Sequence, residues 1–143
     1  MNEPLAPFPH HHYVVCIGVL NELVLVYERT KPPGGSQGLN GPGGSIEPGE
    51  TVQTAAAREW RQEVHGLPHE APRYWTEIGK IEIEGEPITV HFMAVKIEEL
   101  PGPCLLVDHH PATFVSPWAV QFDGRWADFF QRHARQAVRF FRA

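Results

Sequence analysis

The chain has 143 residues, 42% of them hydrophobic, and sets 12 Lys+Arg against 17 Asp+Glu for a formal charge of −5. That length suits one domain with its own core, and the acidic balance argues against a nucleic-acid polymer as partner, since that calls for a basic surface. No apolar stretch approaches the ~18 residues of a membrane span, and the first nine residues lack the basic and apolar regions of a signal peptide. Two cysteines, Cys16 and Cys104, form no spacing motif; Cys16, inside an apolar run, reads as a core residue. A cytoplasmic protein without membrane attachment is the expectation.

Residues 1–12 read as a tail and 13–143 as a single domain. His10-His11-His12 close that tail; they read as surface residues, with a metal cluster as the alternative. Tyr13 to Leu20 is a continuous, β-branched apolar run, the mark of a strand buried on both faces. Asn21-Glu22 separates it from a second run, Leu23 to Tyr27, and Asn tolerates positive φ, so a hairpin is expected. Residues 31–44, KPPGGSQGLNGPGG, read as a loop. A helix follows from about Thr51 to Val64, with Val52, Ala55, Ala56 and Trp60 as its buried stripe and Gly66 and Pro68 ending it.

Beyond the helix, Ile78–Glu84 and Ile88–Ile97 form another hairpin candidate around Gly85-Glu86-Pro87. Residues 98–104 read as a turn-rich loop and Thr113 to Ser116 as a short strand. From Arg125 to Arg142 apolar residues recur at helical steps, and the arginines there read as a solvated face, with an acidic partner or membrane surface as the alternative. Trp75, Phe114 and Trp118 are expected in the core rather than on a ligand. The order of strands, helix, strands, helix indicates an α+β fold with a mixed sheet between helices.

The chemistry concentrates in Gly44-Ser-Ile-Glu-Pro-Gly-Glu50 and in Arg58-Glu59-Trp60-Arg61-Gln62-Glu63. Residues three and four apart share a helix face, so Glu59, Gln62 and Glu63 project together. Two carboxylates held that close repel unless a cation sits between them. Mg²⁺, a hard ion that takes oxygen ligands and travels with substrate phosphates, is the first candidate. Taken alone, an Arg-Glu…Gln-Glu run is an ordinary solvated face; the glycine turn and Glu50 upstream make it a site.

This spacing resembles the Nudix box of hydrolases that act on nucleoside diphosphates linked to another group. Gly44, Glu50, Arg58, Glu59, Trp60 and Glu63 match it position by position. Gln62 departs from it, standing where the family has a glutamate, and the Gly66-Leu67 ending arrives one residue late. The resemblance implies an α/β/α sandwich, Mg²⁺ (or Mn²⁺) as cofactor, and Glu59, Glu63 and Arg58 as the catalytic set, with Glu63 central. It implies that Arg58 pairs with Glu50 as a brace and that the Gly44 carbonyl joins the metal. Gln62 would then be a neutral oxygen ligand, and a loop carboxylate would complete the set: Asp108 first, with Glu98 and Glu99 as alternatives.

Leu39-Asn-Gly-Pro-Gly-Gly44 is similar to a segment of the triphosphatases that remove oxidised purine nucleotides, as is the later 79–87 hairpin. The resemblance would have Asn40 bond a nucleobase; a turn role is the alternative for this residue. Asp123 is the nearest equivalent of their base-reading acidic pair, and Arg29 is a further substrate-binding candidate. A purine nucleoside triphosphate cleaved to monophosphate and pyrophosphate is the expected reaction. A dinucleoside polyphosphate, nucleotide sugar or ADP-ribose would be an alternative substrate, and a non-catalytic nucleotide-binding module an alternative role. Either a monomer or a homodimer is compatible with this reading.

Overall fold

A computed structural model describes residues 10–29 and 37–142. The first apolar run becomes β1 (His11–Leu20) and the second β2 (Leu23–Arg29), paired antiparallel through a turn in which Asn21 takes φ 57°. Two short strands, β3 (Gly38–Asn40) and β4 (Gly43–Ser45), then pair with β2 and β1 respectively. Helix α1 (Val52–Glu63) follows, and β5 (Val64–His65) leaves it directly. The remaining elements are β6 (Thr76–Glu82), β7 (Ile88–Lys96), β8 (Leu106–Val107), β9 (His110–Val115) and α2 (Phe130–Phe141).

Along the sheet the order is β5-β8-β9-β2-β1-β7-β6, with β1 and β7 parallel and the other pairs antiparallel. The sheet is mixed, as expected. Alternation on the strands divides the core. Val14 and Cys16 of β1, Leu25 and Tyr27 of β2, and Met93 and Val95 of β7 pack with Val52, Ala55, Ala56 and Trp60 of α1. Their neighbours Ile17, Val19, Val24, Val26, Phe92 and Ala94 pack with Phe130, Ala134, Ala137 and Val138 of α2. Period-two strands thus serve two helices at once, which produces the α/β/α sandwich.

Several local expectations are corrected. The 31–44 loop contains β3 and β4, because Tyr27 and Val14 offer pairing partners to Asn40 and Gly44 that no local pattern reveals; residues 31–36 lie outside the described residues. Helix α1 ends at Glu63, one residue short of the expected Val64, since Val64 and His65 pair with Val107 and Leu106. The last helix starts at Phe130, not Arg125. Leu39 donates to the Arg125 carbonyl (2.8 Å) and accepts from the Ala127 amide (3.0 Å), which holds that stretch extended. Strand β9 begins at His110, three residues ahead of its expected start at Thr113. The boundary drawn at residue 12 falls within β1. There His12 is half-buried and bonded to the buried His91 instead of lying on the surface.

Among the residues expected in the core, Trp75 is buried and meets Trp60 edge-on at 5.4 Å, and Phe114 packs against the α1 layer. Trp118 is only half-buried, with Arg135, Arg139 and Arg142 over its ring at 5.4–5.8 Å. Among the described residues no helix is long and apolar enough to cross a membrane.

Candidate active site

Thr51 caps α1, its hydroxyl accepting from the Thr54 amide at 3.1 Å. The capped helix carries Arg58, Glu59, Gln62 and Glu63 to the edge of β4, and β4 is seated on β1 through Gly43↔Val15 and Gly44↔Val14. Gly44 lies directly against the Glu59 carboxylate. A Cβ there would stand 2.5 Å from Glu59 Oε2 and 2.8 Å from its Cδ. Backbone and carboxylate thus meet at a distance that any side chain at position 44 would disturb by pushing the Glu59 carboxylate aside.

Arg58 holds this arrangement. Its Nε and Nη2 donate to the two carboxylate oxygens of Glu50, at 2.6 and 2.9 Å. Its Nη1 donates to Glu59 Oε2 (2.9 Å) and its Nη2 to the Ser45 carbonyl (3.0 Å). The bidentate pair draws the Glu50 carboxyl below its ordinary range. With four short donor contacts inside the protein, Arg58 is geometrically a brace.

Glu59 is buried and Glu63 half-buried. Burial, then the hydrogen bond and charge of Glu59, push the Glu63 carboxyl up to about 8. The Gly43 amide, donating to Glu63 Oε1 at 3.3 Å, works the other way. Two facing carboxylates of which one resists ionisation form a site that a cation would relax. The donors are all oxygens, which suits a hard ion such as Mg²⁺ or Mn²⁺. Among the described residues no group of three His, Cys, Asp or Glu side chains is assembled for a metal. Glu59 and Glu63 could hold such an ion, beside the backbone of Gly44. Gln62, exposed and 3.5 Å from Arg58 Nη1 through its Oε1, borders this set.

Asp108 comes to the site by tertiary structure. It occupies the β8–β9 turn at φ 50°, its amide donates to the Glu63 carbonyl at 2.9 Å, and its charge adds to the upward pressure on Glu63. Glu98 and Glu99 do not reach the site. They line a separate cavity of about 470 Å³ with Pro68, Tyr74, Val95 and Phe141.

Asn40 is buried, its Oδ1 accepting from the Gly41 amide at 2.9 Å. It pairs with Tyr27, and cross-strand partners project from the same face, here the α1 face that carries the carboxylates. Tyr27 was not singled out in the sequence, where it merely ends an apolar run. Burial first, with the charges of Glu63 and Asp108 among the lesser causes, pushes its hydroxyl up to about 12. Arg29 closes β2 opposite Gly38. Asp123 is exposed at the end of the Val120–Phe122 turn, next to the segment that pairs with Leu39.

Donors of this kind, presented by a helix beside a glycine strand, suit a hydrolase of phosphoanhydrides, and comparison with known proteins agrees. A family model described as the NUDIX domain matches residues 9–129. The chain belongs to the Nudix family, whose hydrolases act on nucleoside diphosphate-linked substrates. A comparison with curated proteins returns no match. Among solved structures, a NUDIX-family hydrolase from Clostridium perfringens is 16% identical with a TM-score of 0.62, the alignment covering 94% of this chain and 99% of that one. MutT from Aliivibrio salmonicida and Vibrio cholerae is 16% identical at TM-score 0.59, covering 93% and 100%. A bifunctional NMN adenylyltransferase/ADP-ribose pyrophosphatase from Francisella tularensis, complexed with AMP and a Mn ion, is 21% identical at TM-score 0.65; this chain covers 42% of its length.

Proposed function

We propose that this protein hydrolyses a purine nucleoside triphosphate, oxidised bases included, to the monophosphate and pyrophosphate in a cytoplasmic setting. The observation that carries the chemistry is the carboxylate pair Glu59 and Glu63 packed against a glycine backbone at Gly44. Buried Asn40, on the same sheet face through its pairing with Tyr27, supports a nucleobase at the strand ends. Arg29 and Asp123 are assigned to the substrate, and Asp108 to the metal set.

A divalent ion bound between the carboxylates would neutralise phosphate charge and acidify a water molecule. The chain's own residues do the rest. Glu63, ionised once a cation offsets its repulsion with Glu59, takes a proton from the attacking water as the P–O bond to pyrophosphate breaks. The Gly43 amide orients Glu63, and Arg58 keeps Glu59 from turning away. Asn40 carries a side-chain amide to bond the base, once its oxygen leaves the Gly41 amide.

Product release is the test. Normal and oxidised purine triphosphates, dinucleoside polyphosphates, nucleotide sugars and ADP-ribose would be offered with and without Mg²⁺, beside Glu63→Gln. Pyrophosphate from a purine triphosphate, abolished in the variant, is the expected outcome. Turnover of ADP-ribose alone would reassign the substrate. Nucleotide binding without turnover would make the protein a binding module.

A further inference from the structure

A second cluster of ligating groups lies on the same sheet face, away from the carboxylates. His10 precedes β1 and His12 lies within it, two residues on. His91 lies on the neighbouring strand β7, and Glu77 on β6 behind it. His12 Nδ1 and His91 Nε2 are 3.0 Å apart, and His91 Nδ1 is 3.2 Å from Glu77 Oε2. The His10 and His12 rings stand 4.9 Å apart, and the His12 and His91 rings 5.2 Å. His91 is 4% exposed, and Glu77 Oε1 is buried without a hydrogen-bond partner.

We propose that His12, His91 and His10 form a binding site for a nitrogen-preferring divalent transition ion, Zn²⁺ in the first instance, distinct from the carboxylate site. Glu77 decides the tautomer of His91. A carboxylate accepting from Nδ1–H leaves Nε2 as a lone pair, and that lone pair faces His12 Nδ1. Two nitrogens bound to one zinc at a tetrahedral angle stand about 3.3 Å apart, within a few tenths of an ångström of the spacing seen. Replacing the proton between the two rings by a metal ion therefore asks for little movement.

Glu77 then stands where a ligating histidine ordinarily finds its carboxylate partner, which fixes the ring and raises its basicity. His10 supplies the third imidazole. Residues two apart on an extended chain share a face, but His10 Nε2 is now engaged by Thr89 Oγ1 at 2.6 Å. A rotation of the His10 side chain must precede ligation, and among the described residues no three ligands converge before it. Solvent would complete the shell. Lys80, opposite His91 in the β6–β7 register, opposes a cation, and Glu77 offsets it.

Imidazole nitrogen suits zinc, nickel or copper and not magnesium, so the two sites differ in chemistry. Site occupancy would tie β1 to β7 close to where β1 pairs with Gly43 and Gly44.

Titration of the full chain with Co²⁺, read by visible absorption and followed by Zn²⁺ or Mg²⁺ competition, tests this. One equivalent of Co²⁺ with intense tetrahedral bands is expected, displaced by Zn²⁺ and unaffected by excess Mg²⁺. His12→Asn, at a half-buried position, should abolish the bands, and Glu77→Gln should weaken binding by about 10- to 100-fold. The double variant Glu59→Gln/Glu63→Gln should retain the bands, and circular dichroism confirms that each variant is folded. If His91→Gln does not fold, His12→Asn and His10→Ala carry the test. Absence of tetrahedral bands in the wild-type protein overturns the proposal, as does binding that survives His12→Asn and vanishes in the Glu59/Glu63 variant.

Discussion

Gly44 and Glu59 are so close that a methyl group on the first would sit 2.5 Å from a carboxylate oxygen of the second. Arg58 clamps that oxygen at 2.9 Å, so the carboxylate cannot swing aside without breaking a charged contact. Gly44→Ala should therefore leave the fold intact but displace Glu59. Misplacing a catalytic group by about 1 Å costs on the order of 10²-fold, and kcat should fall by about that factor with an unchanged circular dichroism spectrum. Full activity in the alanine variant would separate the Gly44–Glu59 contact from catalysis.

Arg58→Lys tests the brace. A lysine keeps the charge but cannot grip both oxygens of Glu50 and reach Glu59 at once. Loss of a charged hydrogen bond in this half-buried setting costs about 2 kcal/mol, readable as a lower urea midpoint. The pH dependence has a definite sign. Glu50 is held below its ordinary range by Arg58, so its contribution is present above about pH 4.5 and lost as pH falls through the folded value. Glu50→Gln should flatten this acid limb of the stability curve.

Glu63 acts in the opposite direction. Its carboxyl is raised to about 8, so the folded metal-free protein holds that proton more tightly than the unfolded chain. The stabilisation is complete below about pH 4.5 and is lost as pH rises toward 8. A cation that binds the ionised pair should reverse the trend. The rise in Tm produced by Mg²⁺ is expected to be larger at pH 8 than at pH 6, and Glu63→Gln should remove the difference.

Gln62 borders the carboxylates with a neutral oxygen, 3.5 Å from Arg58 Nη1. Gln62→Glu adds a charge where the Nudix box ordinarily has one, and should tighten Mg²⁺ or Mn²⁺ binding in calorimetry. Unchanged metal affinity and turnover would show that position 62 takes no part in the metal set.

What was legible in the sequence is what depends on neighbours along the chain. The carboxylate spacing of α1 and its alanine and tryptophan stripe follow from the 3.6-residue period, the Asn21 turn from asparagine's tolerance of positive φ, and the doubly buried β1 from an unbroken apolar run, and the structure reproduces them. Tertiary structure alone decided the rest, because pairing between distant segments leaves no periodic mark in either partner. It made strands of Gly38–Asn40 and Gly43–Ser45 by offering them β2 and β1. It held residues 125–127 extended against Leu39 despite their helical spacing. It set the Asp108 turn against the end of α1 and left Glu98 and Glu99 on another cavity. Finally, it placed Tyr27 opposite Asn40 and His12 against His91, 79 residues along the chain.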